Sequence, residues 1–238
     1  MAVFAPLRLG HGDEQAGQAD KDAQGMFFAP LWLSVAAVTG LLVADRGGYR
    51  AWEWVAKPLA ASAFLWAALS WGALESAYGR SILLGLTLCA AGDVLLLPKG
   101  RNRWFLAGLG AFLLGHLAYA AAFAILPLNR PGGLLALGAM GATAAVVMRW
   151  LLPSVPKAFR VPIIAYIAAI SLMVAMATAA VTAGASWWLL GGAVGFAASD
   201  LAVARNRFIA PGFVNRLWGL PLYFGSQLLI ASTVATPA

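Results

Sequence analysis

Long apolar runs recur along this chain, and they constrain its fold more than any other feature. About 20 residues at a rise of 1.5 Å cross a 30 Å hydrocarbon core, so an apolar run of about 18 or more reads as a membrane-crossing helix. Eight such runs follow one another, at about 27–44, 53–71, 81–97, 104–126, 132–152, 161–183, 186–204 and 217–234. With 62% hydrophobic and 11% charged residues, the composition excludes an ordinary soluble domain. The expectation is an all-α polytopic membrane protein with eight transmembrane helices. Only Gly184–Ser186 separates the sixth run from the seventh, so seven or nine spans is the error to expect.

Residues 1–25 differ in kind. The stretch GHGDEQAGQADKDAQG is polar and without periodicity, and it reads as a disordered tail ahead of a transmembrane domain over 26–238. It lacks the charged-then-apolar layout of a cleaved signal peptide, so the first run is expected to stay in the mature protein. Cys89 is the one cysteine, and His11 and His116 are the two histidines. No intrachain disulfide can form, and neither a thiolate cluster nor a histidine-rich metal site is expected.

The net charge of +7 would suit nucleic acid, but its distribution argues otherwise. Twelve of the sixteen Lys and Arg residues lie in or beside the loops after the first, third, fifth and seventh runs. The opposite side holds only Arg8, Lys21, Arg80 and Arg130. This asymmetry puts the odd-numbered loops in the cytoplasm and both termini outside. The Ala-, Gly-, Leu- and Arg-rich usage points to a bacterial inner membrane. Basic loops would lie against anionic head groups, so membrane lipids rather than nucleic acid are the expected partners. Most tryptophans fall near run ends, as an interfacial belt requires.

Two aspartates interrupt the apolar runs, Asp93 in LTLCAAGDVLLL and Asp200 in LGGAVGFAASDLAVA. A carboxylate at membrane depth costs about 2.5–3.5 kcal/mol even on the lenient insertion scale, so its retention points to function. Their surroundings echo one another. GDVLLLPKGRNRWF matches SDLAVARNRF, WVAKPLAASAF matches AFRVPIIAYIA, and both Asp93 to His116 and Asp200 to Tyr223 span 23 residues. The pattern is that of a parallel repeat of two four-helix halves, which places a polar site between them. Small residues (Gly108, Ala111 and Gly115; Gly191, Gly192 and Gly195) would let helices approach closely in lipid.

Further polar residues sit at the same level. His116 and Tyr119 share one helical face, as do Tyr223 and Gln227, and Lys57 opens the second run from the same side. Each has a plain alternative. The aspartates could pair with loop arginines, Tyr119 and Gln227 could simply tie helices together, and Lys57 could be an interfacial lysine that snorkels. Tyr166 and Glu75 carry too little context to assign. Taken together, the set reads as a hydrolytic or proton-relay site.

Lys57-Pro58, Gly92-Asp93, the GLGAFLLGHLAY run with His116 and Tyr119, Ser199-Asp200, and Tyr223 with Gln227 occur in order over residues 57–227. This ordered set resembles the YhhN-type family, which includes the lysoplasmalogenases of animal membranes. The resemblance implies an eight-helix hydrolase that cleaves the vinyl ether of a lysophospholipid to a fatty aldehyde and a glycerophospho-base.

The residues suit that chemistry. Vinyl ether hydrolysis begins with proton transfer to carbon, and water captures the resulting oxocarbenium ion. An acid buried in apolar surroundings and a second carboxylate nearby meet those two needs. Asp93 and Asp200 would divide the roles, with the assignment open. His116 and Tyr223 would orient water or an aspartate, Tyr119, Ser199 and Gln227 would hydrogen-bond around the site, and Lys57, Arg103 or Arg207 would hold the phosphate. No metal or organic cofactor is required. The rival readings are a proton-coupled transporter or flippase and a non-catalytic scaffold. Nothing in the chain speaks to its oligomeric state.

Overall fold

The computed structural model describes residues 11–98, 100 and 102–236, with side chains from Phe28 onward. Eight α-helices are present among them, and no strand: α1 (His11–Gly47), α2 (Arg50–Ser70), α3 (Ala77–Leu95), α4 (Asn102–Phe123), α5 (Arg130–Leu151), α6 (Lys157–Val181), α7 (Trp187–Phe208) and α8 (Phe213–Ser232). Helices are the expected solution in lipid, because they satisfy every backbone polar group within the segment. Local chemistry fixes several ends. The Ser76 side chain accepts from the Gly79 amide and starts α3, while Asn129 accepts from Gly132 ahead of α5. Gly184 has a φ of 113°, a conformation open to glycine, and it makes the turn that divides the sixth helix from the seventh.

Among the described residues, six helices are long and apolar enough to cross a membrane: the Phe28–Gly47 part of α1, then α3, α4, α5 with the turn after it, α6 and α7. The protein is an integral membrane protein. Helices α2 and α8 have 21 and 20 residues, enough to match their neighbours in length. Glu53, Lys57 and Pro58 dilute the apolar content of α2, and Asn215, Arg216 and Gln227 do the same for α8. Helix α1 starts at His11 and so takes in part of the stretch expected to form a tail. Residues 1–10, and with them Arg8, lie outside the described residues, as do Lys99 and Arg101.

Two glycine seams hold the bundle. A methyl group placed on Gly115 of α4 would meet Cys89 Sγ of α3 at 2.7 Å, and one on Gly92 would meet the Phe112 ring at 2.7 Å. On the other seam, a methyl on Gly192 of α7 would meet Ile230 of α8 at 2.7 Å. Such contacts leave no room for a side chain, so α3 with α4 and α7 with α8 form the closest pairs. Helix α6 packs on α4 and helix α2 on α8, the same kind of contact between the second helix of one half and the fourth of the other. In α5 the only buried residue is Leu151; this helix lies on the outside against α6.

Candidate active site

Asp93 sits in the last turn of α3, and its side chain is 2% exposed. Its Oδ1 lies 3.1 Å from Lys57 Nζ of α2, and its Oδ2 accepts a 2.7 Å hydrogen bond from the Tyr223 hydroxyl of α8. Asp200 of α7 is the more open of the two, at 14%. Its Oδ2 accepts from the Tyr166 hydroxyl of α6 at 3.1 Å and faces His116 Nε2 of α4 at 3.4 Å. The partnership is crosswise. Each aspartate takes one partner from the second helix of its own half and one from the fourth helix of the other half.

Aromatic packing fixes these groups. The His116 ring stacks on Phe196 at 4.3 Å, with Tyr166 edge-on at 5.1 Å. Its Nδ1 lies 2.7 Å from the Phe112 carbonyl oxygen, which can only accept, so Nδ1 carries the hydrogen. Tyr223 is ringed by Phe64, Phe112, Phe196 and Phe224 at 4.7–6.5 Å. A cavity of about 670 Å³ opens beside these residues, and Asp93, Asp200, Lys57, Tyr166, Ser199 and Tyr223 stand in its wall.

The sequence model of the YhhN family matches residues 52–234. This chain belongs to the YhhN family. It is 33% identical over 156 residues to the lysoplasmalogenase TMEM86A of Homo sapiens, covering 63% of each chain. It is also 35% identical over 162 residues to a lysoplasmalogenase of Mycobacterium bovis, covering 64% of this chain and 59% of that one. The lysoplasmalogenase TMEM86B of Sus scrofa is 32% identical over 166 residues, 68% of each. The chain thus spans somewhat under two thirds of the length of the first two relatives. No solved structure matches it.

In this YhhN protein the residues named from sequence fall into three groups. Asp93, Asp200, His116, Tyr223 and Lys57 come together, and Ser199 joins them in the cavity wall with its hydroxyl donated to the Phe196 carbonyl. Tyr119 and Gln227 are fully buried and bonded to each other at 2.5 Å. They do not line the cavity and tie α4 to α8 behind it. Arg207 does line the cavity, lying over the Phe105 ring and donating to Asn102. Arg103 lies over Trp104, apart from the cavity lining.

Two features of the site went unread in the sequence. Tyr166 is a direct partner of Asp200, and its position on α6, the counterpart of α2 with Lys57, is the signal that could have marked it. A charged cluster also closes the basic end. Arg216 of α8 pairs with Asp45 of α1 and reaches Glu53 of α2 at 3.7 Å. Glu53 and Arg216 both line the cavity.

Proposed function

We propose that this protein hydrolyses the vinyl ether bond of lysoplasmalogens, releasing a fatty aldehyde and glycerophospho-ethanolamine or glycerophospho-choline. One observation carries the reading: two carboxyl groups face a single apolar cavity in unlike company. Asp93 has a donor on each oxygen, Lys57 and Tyr223, which suits a standing negative charge. Asp200 faces the second nitrogen of a histidine whose first is committed to a carbonyl. A bare Nε2 lone pair against a carboxylate would repel, so the pair is matched when one proton rests on either partner. Asp200 with His116 is therefore the proton donor, and Asp93 the acceptor.

The reaction then balances without a cofactor. Asp200 gives its proton to the vinyl carbon remote from oxygen, and the double-bond electron pair forms the new C–H bond. The oxocarbenium ion left behind is stabilised by both carboxylates. Water adds to it and loses a proton to Asp93, giving a hemiacetal. The hemiacetal hydroxyl returns a proton to Asp200, and Asp93 protonates the departing glycerol oxygen as the C–O bond breaks. One water is consumed, and both aspartates end as they began.

The names of the relatives support this substrate class, and the cavity suits an amphiphile. Arg207, and Lys57 on the far side of Asp93, offer cationic groups to the phosphate. Ser199 stands in the same wall beside Asp200. Twelve cationic residues against four support an inner-membrane orientation with the basic end in the cytoplasm and both termini outside. On composition we also propose that the polar residues 1–25 lie outside the membrane domain over 26–238, those from His11 on as an extension of α1. Transport fits less well, because the polar groups gather at one end of the bundle instead of tracing a path across it.

The test is aldehyde release from lysoplasmenyl-ethanolamine in detergent. Wild type should turn it over, while folded Asp93→Asn and Asp200→Asn should not. A folded wild type with no release, or an Asp200→Asn variant at full rate, would overturn the proposal.

A further inference from the structure

The cavity is not symmetric about the two aspartates, although the helices around them repeat. Residues of α1–α4 and α8 line it around the aspartates and the basic end, and from there it extends along α5, α6 and α7 of the second half. On α6 the lining residues Ile163, Tyr166, Ile167, Ile170 and Val174 recur at helical spacing, a stripe of about 16 Å at 1.5 Å per residue. On α5 the stripe is Met140, Ala144, Val147 and Leu151, and on α7 it is Val194, Ala197 and Leu201. Next to the basic end the same wall carries Asn206, Arg207, Asn215 and Arg216. The space is thus polar at one end, acidic at the junction and apolar beyond.

It is also open sideways. Helix α5 leans on α6 and barely touches α7. Val194 and Leu201, which line the cavity from α7, are 47% and 37% exposed, more than an enclosed wall would leave them beside the gap between α5 and α7. Asp200 shares this opening at 14% exposure, against 2% for Asp93.

Resting on the hydrolase reading above, we infer that the hydrocarbon tail of the substrate enters between α5 and α7 and lies along the trough they form with α6. Met140, Val174 and Val194, at the end remote from the arginines, limit the tail length. A single-chain lipid seated this way keeps its phosphate at Arg207. Its first tail carbons, where the vinyl ether lies, then sit against Asp200. The apolar stripes accept methylenes without polar groups left unpaired.

Two measurements test the inference. The first uses a saturated-ether lysophospholipid, which the enzyme cannot cleave, with a diazirine at its tail end, photolysed with wild-type protein in micelles. Label is expected at Met140, Val174 or Val194. Label spread evenly over lipid-facing residues, or centred on the α1–α2 groove near Gly40, overturns the inference whether or not the protein hydrolyses anything. The second compares turnover of a hexadecenyl and an octenyl lysoplasmalogen. Val194→Trp should lower the long-to-short ratio by about tenfold or more, while Leu135→Trp, on the lipid face of α5 and 78% exposed, leaves it unchanged. An unaltered ratio in Val194→Trp counts against the trough. Trough labelling without aldehyde release would sink the hydrolase reading and keep the tail site.

Discussion

Replacing Lys57 with Met removes the ammonium from beside a carboxylate that is 2% exposed and 3.1 Å away. Two unit charges at that distance attract by about 5 kcal/mol at an effective dielectric of about 20. Measured losses on breaking a buried pair from one side run about 3–5 kcal/mol, because the remaining charge is stranded. Lys57 is itself 14% exposed, so the lower figure, about 3 kcal/mol, is the expectation. For a chain of this size, that is a fall of about 6–12 °C in Tm. The Met side chain retains most of the aliphatic stem, so the loss reports the charge and not a cavity. The assay is a thermal melt in detergent followed by tryptophan fluorescence, with the double variant Lys57→Met/Asp93→Asn alongside. Removing both partners should recover most of the lost stability. A Lys57→Met protein melting within about 1 °C of wild type would refute the pairing as a structural tie. So would a double variant less stable than Lys57→Met alone.

Other expectations follow from single contacts. Tyr223→Phe keeps the ring in its cage of four phenylalanines but deletes the donor to Asp93. Deleting a charge-assisted bond of about 1.5–3 kcal/mol should lower Tm by about 3–12 °C and drop kcat for aldehyde release by roughly 10- to 100-fold; an unchanged rate in the folded variant would mean that the Tyr223 hydroxyl plays no part in the chemistry. His116→Phe preserves the stack on Phe196 and removes the imidazole that faces Asp200, so on the proposed mechanism kcat should fall by about 10²–10⁴, read in the same assay against the melting curve. Gly192→Ala places a methyl 2.7 Å from Ile230 and 3.0 Å from the Ser226 carbonyl oxygen, which should cost about 1–3 kcal/mol of stability. The melt of this variant should show the loss, and a wild-type Tm would mean that the α7–α8 seam has slack.

The helices were legible because lipid leaves so few alternatives to them, and an apolar run of sufficient length declares itself. The aspartates were legible for the converse reason, as charges where charge is costly. The 23-residue spacing drew attention to His116 and Tyr223, which stand beside the two aspartates. It could not reveal that each serves the aspartate of the other half, since sequence distance carries no information about which helices pack. Lys57 reads equally well as a snorkelling lysine or a phosphate ligand until α3 is seen to bring Asp93 against it. Tyr166 went unread because it stands five residues beyond the position that aligns with Lys57, so the repeat places it on the right helix at an unmatched residue. The charges near the basic end of α2 and α8 lower the apolar content of those helices, yet the runs at 53–71 and 217–234 still marked them. Tyr119 and Gln227 were legible as polar residues that could line the site or tie helices together, but not as partners of each other.

The crosswise partnership has a consequence for how such a chain can be divided. Neither four-helix half contains a finished site, since Asp93 lacks its phenol without α8 and Asp200 lacks its imidazole without α4. A break in the loop between Phe123 and Arg130 should therefore give two inert fragments that regain activity when coexpressed. By the same geometry, a four-helix peptide with an aspartate on its third helix and a donor on its fourth would build two such sites by pairing with its own copy. Fusing two copies end to end frees each half to vary alone, so that one aspartate can keep a lysine and the other a histidine.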